Sequence, residues 1–136
     1  EAWWSPAIDS GLVAIANHSW DHLHPALAAV RHSRDARADF AEVDSFEDAD
    51  AQIRDAAAYL WSATDGRASP FFAYPFGHHN AFLARDYLPS LGDALCAAAF
   101  TCEPRLVAPG DSHFLMPRFV CGADWRSPEE LAARLR

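Results

Sequence analysis

The stretch GLVAIANHSWDH (residues 11–22) joins a short apolar run to two histidines that are four residues apart. A continuous apolar run of this length predicts a strand that is buried on both faces, as in a parallel sheet. His18 then lies at the carboxyl end of the strand and His22 about one turn later, so both imidazole rings point to one side. Because α/β folds place their sites at the carboxyl ends of strands, the stretch predicts an α/β fold with two candidate metal ligands.

The rest of the chain alternates between helical and strand patterns, which supports a parallel sheet or barrel. Helices are predicted from Ser45 to near Thr64, from Asn80 to Leu91 with its tail broken at Pro89, and after Ser127 as N-cap. Strands are predicted within PFFAYPFG (70–77), ALCAAAFTC (94–102) and HFLMPRFV (113–120).

Length and composition predict a single globular domain spanning residues 1–136. The formal net charge of −8 argues against nucleic acid as a partner, and no apolar run is long enough for a membrane span. The three cysteines, Cys96, Cys102 and Cys121, have no metal-binding spacing. One disulfide with a free thiol and three free thiols both remain open.

The histidine pair is a moderate signal by itself, since two histidines at this spacing also arise by chance. A zincin motif would need Glu at the position that Ser19 occupies, and a serine hydrolase would need GxSxG. Neither fits. If both histidines are ligands, their nitrogens should converge to roughly 3–3.5 Å on the same side as Pro75 and Phe76.

Together with FAYPFG (Phe72–Gly77) some fifty residues later, HSWDH (His18–His22) resembles the polysaccharide deacetylases, the NodB-homology group of family 4 carbohydrate esterases. LMPRF (Leu115–Phe119) resembles a late strand of the same variant. The resemblance covers about residues 10–136. It implies an irregular (β/α) barrel, of which this chain is expected to be a part that is truncated at its N-terminus.

The resemblance implies hydrolysis of N-acetyl groups on an amino-sugar polysaccharide, with the N-acetylated glycan as the partner. A divalent metal, expected to be Zn²⁺, would be bound by His18 and His22, and the backbone N–H of Phe76 would contact the oxyanion. The substrate-binding residues that it implies are Tyr74, Pro75, Gly77 and His78. Family habit favours the cell envelope or secretion.

The chain departs from the family pattern at three points. The T-F-D-D-G motif, which supplies the general base and the carboxylate ligand, is absent, and Asp9 cannot take its place. We expect this motif upstream of Glu1. Ala73 stands where many members have an arginine that orients the base, so Arg118 is the candidate substitute, with a structural or surface role as the alternative. The late L-x-H motif, whose histidine protonates the leaving amine in many members, is absent too; among the later histidines His78, His79 and His113, we take His113 as the candidate acid.

Three hypotheses therefore stand at the level of sequence. The first is a metal-dependent deacetylase with part of its site in this chain. The second is a catalytically inactive, deacetylase-like module that binds carbohydrate or metal. The third is an α/β domain with a structural role, in which the histidines pack by chance.

Overall fold

The structure is a computed structural model that describes residues 3–22 and 39–136. Its main elements are helix α1 (Trp4–Asp9), helices α2 (Phe46–Ala49) and α3 (Asp55–Ala63), strand β1 (Phe71–Ala73), helix α4 (Leu88–Ser90), strand β2 (Ala98–Phe100) and helix α5 (Pro128–Arg134). Short turns of other helical types lie between them: π-helical at Asp50–Arg54 and Leu83–Tyr87, and 3₁₀ at Phe40–Glu42, Pro75–Gly77 and His113–Leu115.

The sheet is parallel, as the sequence predicts. Strands β1 and β2 pair in parallel with Phe72 opposite Ala99. Single parallel bridges extend the pairing on both sides, from Asn17 to Phe72 and from Phe100 to Met116. Four chain segments therefore lie side by side in the order of the sequence, and their carboxyl ends meet at one edge.

The first apolar run does not form the strand that the sequence predicts. Leu12 is 90% exposed and Val13 is 47% exposed. Pairing with the neighbouring segment begins only at Ile15, whose carbonyl accepts a hydrogen bond from the N–H of Ser69 at 2.7 Å. The prediction of a strand buried on both faces is wrong here, because an apolar run is buried only where other elements cover it.

The last predicted strand is also wrong in most of its length. Residues 113–115 form a 3₁₀ turn, and only Met116 joins the sheet. The N–H of Met116 donates to the carbonyl of Ala99 at 2.8 Å, and the carbonyl of Met116 accepts from Thr101 at 2.9 Å. Pro117 follows directly, and because proline has no N–H, the ladder cannot continue through it.

The helix starts agree with the sequence. The hydroxyls of Ser45 and Ser127 accept hydrogen bonds from backbone N–H groups three residues later, as N-cap residues do. The prediction that Pro89 breaks the tail of its helix is wrong. This proline lies in the first turn of α4, directly after a π-helical turn, where no helical hydrogen bond needs its N–H.

The core lies between the sheet and the helices that flank β1. Its largest members are almost wholly buried: Phe40, Ile53, Phe72, Tyr74, Leu83, Tyr87 and Leu88. The Phe72 ring lies 5.9 Å from the Phe40 ring and 5.2 Å from that of Tyr74, measured between centroids. Within residues 3–22 and 39–136, none of the helices has both the length and the apolar character that crossing a membrane requires.

Candidate functional site

The candidate site residues follow the four parallel segments at the point where each segment ends. His18 follows the bridge residue Asn17, and the Pro75–Gly77 turn comes one residue after β1. Cys102 lies two residues after β2, and Arg118 two residues after the bridge residue Met116. Since parallel strands end at the same edge, the fold collects residues that are up to a hundred positions apart in sequence.

The two histidines of the HSWDH stretch lie together. The centroids of the His18 and His22 rings are 4.6 Å apart, and the ring planes are nearly perpendicular at 83°. Nδ1 of His18 lies 2.6 Å from the carbonyl oxygen of Ala73. Because a carbonyl can only accept, Nδ1 carries the proton and donates, which leaves Nε2 of the neutral ring with a free lone pair.

The turn that follows β1 lies directly beside this pair. The Phe76 ring lies 5.3 Å from the His22 ring and 5.7 Å from the His78 ring, measured between centroids. Phe76 has a φ of 55°, in the left-handed region that side chains other than glycine rarely adopt. Its backbone N–H has no acceptor among the described residues, whereas the next two N–H groups donate to Tyr74 and Pro75.

Gly77 brings this turn against the strand-end residue Cys102. A Cβ atom at Gly77 would lie 2.7 Å from the Cβ and 2.8 Å from the backbone nitrogen of Cys102. No side chain fits in this space, so the close approach itself requires glycine. The φ of 77° at Gly77 adds a second reason for the same residue.

The four predicted substrate-binding residues divide between the core and the surface. Tyr74 and Pro75 are fully buried, and the Tyr74 hydroxyl donates to the carbonyl of Phe114 at 3.0 Å. Burial raises the pKa of Tyr74 far above its ordinary value, so the hydroxyl stays a donor. Tyr74 therefore packs beneath the turn, while His78 is exposed and pairs with Asp39 at 2.8 Å. Gly77 is partly exposed.

Arg118 lies behind the turn and next to Cys102. Its Nη2 donates to the Cys102 sulfur at 3.2 Å, and its buried Nε has no hydrogen-bond partner among the described residues. Cys102 in turn packs against Gly77. Arg118 thus reaches the turn through Cys102, and its predicted role in orienting a base stays a prediction. His113 is exposed at the start of the 113–115 turn.

Three carboxylates that could serve as a ligand or a base bind other groups. Asp9 forms an ion pair with Arg67, Asp111 pairs with Arg105, and Asp124 accepts a hydrogen bond from the backbone N–H of Val120. Within residues 3–22 and 39–136, no group of three His, Cys, Asp or Glu side chains could hold a metal ion. The pair of histidines therefore lacks a third protein ligand in the part of the chain that the structure describes.

A cleft of about 520 Å³ opens beside His18. Three aromatic rings contribute to its wall, from Trp4, Trp20 and Tyr59. The Tyr59 ring lies 6.5 Å from that of Trp4 and 5.9 Å from that of Trp20, each in an edge-to-face arrangement. Clefts of this size with mainly apolar walls and a few polar groups are typical of small-molecule sites.

The cysteines are free thiols that differ in exposure. Cys96 is buried, Cys102 is partly buried and Cys121 is exposed. Burial raises the pKa of the Cys96 thiol to about 12, which keeps it protonated and unreactive at neutral pH. Of the two alternatives that the sequence left open, the structure shows three thiols.

Sequence reasoning missed the residues that hold the histidine loop. Asn17 is buried, and its side chain bonds to Ile53 and to Ser19. The backbone N–H of Trp20 donates to the carbonyl of Gln52 at 2.8 Å. An asparagine that follows an apolar run and directly precedes the motif was a usable signal, whereas a π-helical turn has no sequence pattern from which to predict it.

The chain gives no match to protein-family models, and none to curated proteins or solved structures. The resemblance to the deacetylases therefore remains a prediction from the sequence motifs. In the structure HSWDH and FAYPFG, which are distant in sequence, meet through His22 and Phe76.

Proposed function

We propose that this chain is a polysaccharide-deacetylase-type domain that hydrolyses N-acetyl groups of an amino-sugar glycan with the help of a divalent metal, Zn²⁺ in first place. One observation carries the proposal: the His18–His22 pair adjoins the Pro75–Gly77 turn, and Nδ1–H of His18 donates to the Ala73 carbonyl. Histidines that bind metal almost always donate their other ring N–H to such a partner, which fixes the tautomer.

Two imidazoles are ligands that suit a metal of this type. His18 offers Nε2 because Nδ1 is engaged, and the ring of His22 lies 4.6 Å away, measured between centroids. A bound divalent ion would supply Lewis acidity toward the amide carbonyl and lower the pKa of water. The N–H of Phe76, which has no acceptor among the described residues, would donate to the oxygen that gains negative charge.

The cleft beside His18 supports a glycan as substrate. Trp4, Trp20 and Tyr59 line this cleft together with His18. Sugar rings have apolar faces as well as hydroxyls, and aromatic side chains offer flat apolar area to contact them. The net charge of −8 disfavours polyanionic polymers and is compatible with neutral or cationic amino sugars.

The fold is compatible with the same family at a coarse level. The four parallel segments lie in sequential order, as they do in a (β/α) barrel, and the candidate residues lie at their carboxyl ends. A partial barrel of the deacetylase type remains part of the proposal.

A second candidate function is a module that binds metal or glycan without hydrolysis. The missing third ligand within the described residues favours it, and the sequence has no counterpart of the paired aspartates of the family. Without a positioned base, proton transfer typically loses 10²- to 10⁴-fold in rate. We therefore expect little or no acetate release from the 136-residue chain itself.

The first experiment measures Zn²⁺ binding by calorimetry for the chain and for His18→Ala and His22→Ala. We expect one weak site, because two neutral imidazoles leave the ion uncompensated, and a loss of about tenfold or more in each variant. His79→Ala is the control, since His79 is exposed and lies outside the proposed ligand set. Zn²⁺ affinity that is equal in all four proteins would overturn the metal site.

The second experiment separates the enzyme from the binding module. Acetate release from N-acetyl-chito-oligosaccharides is measured with Zn²⁺ or Co²⁺, for the 136-residue chain and for the product of the complete reading frame that contains it. Turnover by the latter that His18→Ala abolishes would support the deacetylase. Glycan binding without turnover in both would support the module. Turnover by the 136-residue chain itself would show that one of its own carboxylates acts as the base.

A further inference from the structure

The side chain of Asn17 connects the histidine loop to the helix beside it. This residue is 5% exposed, its Nδ2 donates to the carbonyl of Ile53 at 2.9 Å, and its Oδ1 accepts from the N–H of Ser19 at 3.0 Å. Its backbone N–H donates to Phe71 and its carbonyl accepts from Ala73, each at 3.0 Å. One residue thus fixes the direction in which the chain leaves the sheet.

The helical partner of the loop is the π-helical turn Asp50–Arg54. Two consecutive carbonyls of this turn accept hydrogen bonds from the loop. The carbonyl of Gln52 accepts from the N–H of Trp20 at 2.8 Å, and the carbonyl of Ile53 accepts from the side chain of Asn17. π-Helical turns inside helices are frequently found at functional sites. Here the turn holds both the start and the middle of the segment that carries the histidines.

Between these two attachments the backbone adopts an unfavourable conformation. Ser19 has a φ of 72°, which a residue with a side chain keeps only when its surroundings impose it. The bond from its N–H to Asn17 and the bond from its hydroxyl to the carbonyl of Asp21, at 3.1 Å, are such constraints. The left-handed residue reverses the chain so that the His22 ring returns to 4.6 Å from that of His18.

We propose that Asn17 is a positioning residue for the histidine pair. By joining Ser19 to the π-helical turn, it holds the two imidazole rings 4.6 Å apart, measured between centroids, before a divalent cation arrives. The proposal rests on the proposed metal-binding function, but its structural part concerns the metal-free protein. Preorganisation of this kind raises affinity because the cost of ordering the loop falls on folding rather than on binding.

The main experiment compares the chain with Asn17→Ala. We expect Zn²⁺ affinity to fall about 10- to 100-fold, as it does when the groups that orient metal ligands are removed. In the metal-free protein, ¹⁵N chemical shifts of the His18 ring should lose the signature of a fixed Nδ1–H form, while far-UV circular dichroism stays unchanged. A folded Asn17→Ala with unaltered Zn²⁺ affinity and unaltered His18 shifts would overturn the proposal.

A control in the π-helical turn separates positioning from general packing. The Gln52 side chain is 1% exposed and its Oε1 has no hydrogen-bond partner among the described residues, whereas its carbonyl binds Trp20. Gln52→Leu removes the unsatisfied acceptor but keeps the main-chain bond. We expect unchanged Zn²⁺ affinity and equal or higher stability. A loss as large as that of Asn17→Ala would show that packing alone accounts for both.

A matched pair at Ser19 keeps the proposal testable if Asn17→Ala fails to fold. Ser19→Gly and Ser19→Val both remove the hydroxyl, but only glycine accepts a positive φ without strain. We expect Ser19→Val to bind Zn²⁺ at least about tenfold more weakly than Ser19→Gly, and equal affinities would overturn the proposal. If Zn²⁺ binding does not depend on His18 and His22 at all, the proposed metal site is wrong. The ¹⁵N chemical shifts of the His18 ring in Ser19→Gly and Ser19→Val then still decide whether the loop is held as proposed.

Discussion

Two turns at the same edge of the sheet each contain a left-handed residue that is not glycine, and they are held by different forces. In the turn after β1 this residue is Phe76, and in the histidine loop it is Ser19. The first turn is fixed by packing, because Pro75 is buried and Gly77 closely approaches Cys102. The second is fixed by a few hydrogen bonds that centre on Asn17.

This difference has consequences for what each turn can do. A packed turn keeps one geometry and suits a backbone N–H that must point at a fixed place, as proposed for Phe76. A loop held by hydrogen bonds can keep two side chains at a fixed separation, as proposed for the histidine pair and Asn17. The two turns meet at the contact of His22 with Phe76, so a change in either one reaches the other.

The largest effect is expected from Gly77→Ala, which should disrupt the packed turn. The added Cβ would lie 2.8 Å from the backbone nitrogen of Cys102, and the φ of 77° would be strained as well. Overpacking and strain together should lower the free energy of unfolding by about 3 kcal/mol. Urea unfolding at constant m-value measures the loss.

Gly92→Ala is the matched control for this prediction. Gly92 has a φ of 74°, but a Cβ there would meet nothing within 4 Å. The free energy of unfolding of Gly92→Ala should fall by about 1 kcal/mol, because only backbone strain is added. Equal losses in the two variants would show that the approach of Gly77 to Cys102 does not hold the turn.

A smaller effect is expected from Tyr74→Phe, which removes one hydrogen bond beneath the same turn. The hydroxyl of Tyr74 donates to the carbonyl of Phe114, and its loss should reduce the free energy of unfolding by about 1 kcal/mol. Backbone NMR shifts should change around residues 113–115. Tyr87→Phe, which removes a bond from Tyr87 to Asp50 instead, should leave those shifts unchanged. Shift changes at residues 113–115 in both variants would contradict the view that the Tyr74 hydroxyl, rather than general packing, holds this segment.

The sequence predicted those parts of the molecule that depend on local chemistry. Ser45 and Ser127 cap helices as expected, because an N-cap needs only one side chain and the N–H groups that follow it. The parallel pairing of β1 and β2 also agreed. The contact of His22 with Phe76 was also predictable, because the carboxyl ends of neighbouring parallel strands lie at the same edge of a sheet.

Features that depend on the surroundings of a residue were not predictable in this way. The apolar side chains of Leu12 and Val13 are exposed although their pattern predicts burial. Tyr74 lies in the core because the chain turns only after it, at Pro75. The π-helical turn that holds the histidine loop reflects tertiary contacts with Asn17, which local propensities do not encode.

The loop after β2 extends the comparison, since ionic contacts hold it rather than packing or neutral hydrogen bonds. Both Asp111 oxygens accept from the Arg105 guanidinium, at 2.7 and 2.9 Å, and the backbone N–H of Ala108 donates to one of them at 2.7 Å. These hydrogen bonds, that from Arg105 foremost, lower the pKa of Asp111 from its ordinary 3.8 to about 2. The carboxylate is therefore ionised in the folded protein throughout the neutral range.

The smallest effect is expected from Asp111→Asn, and it should depend on pH. Because the pKa of the folded state is lower than that of the unfolded state, the stabilisation is complete above about pH 4 and is lost as the pH falls toward 2. The difference in unfolding free energy between the chain and Asp111→Asn should therefore be present at pH 6 and mostly lost near pH 2. This difference should be modest, since Arg105 is partly exposed to solvent.

In an Arg105→Gln background the pH dependence of the Asp111→Asn effect should largely disappear, because the main partner of the carboxylate is gone. A difference that is undiminished at pH 2, or that is equally pH-dependent without Arg105, would show that the ion pair does not hold this loop.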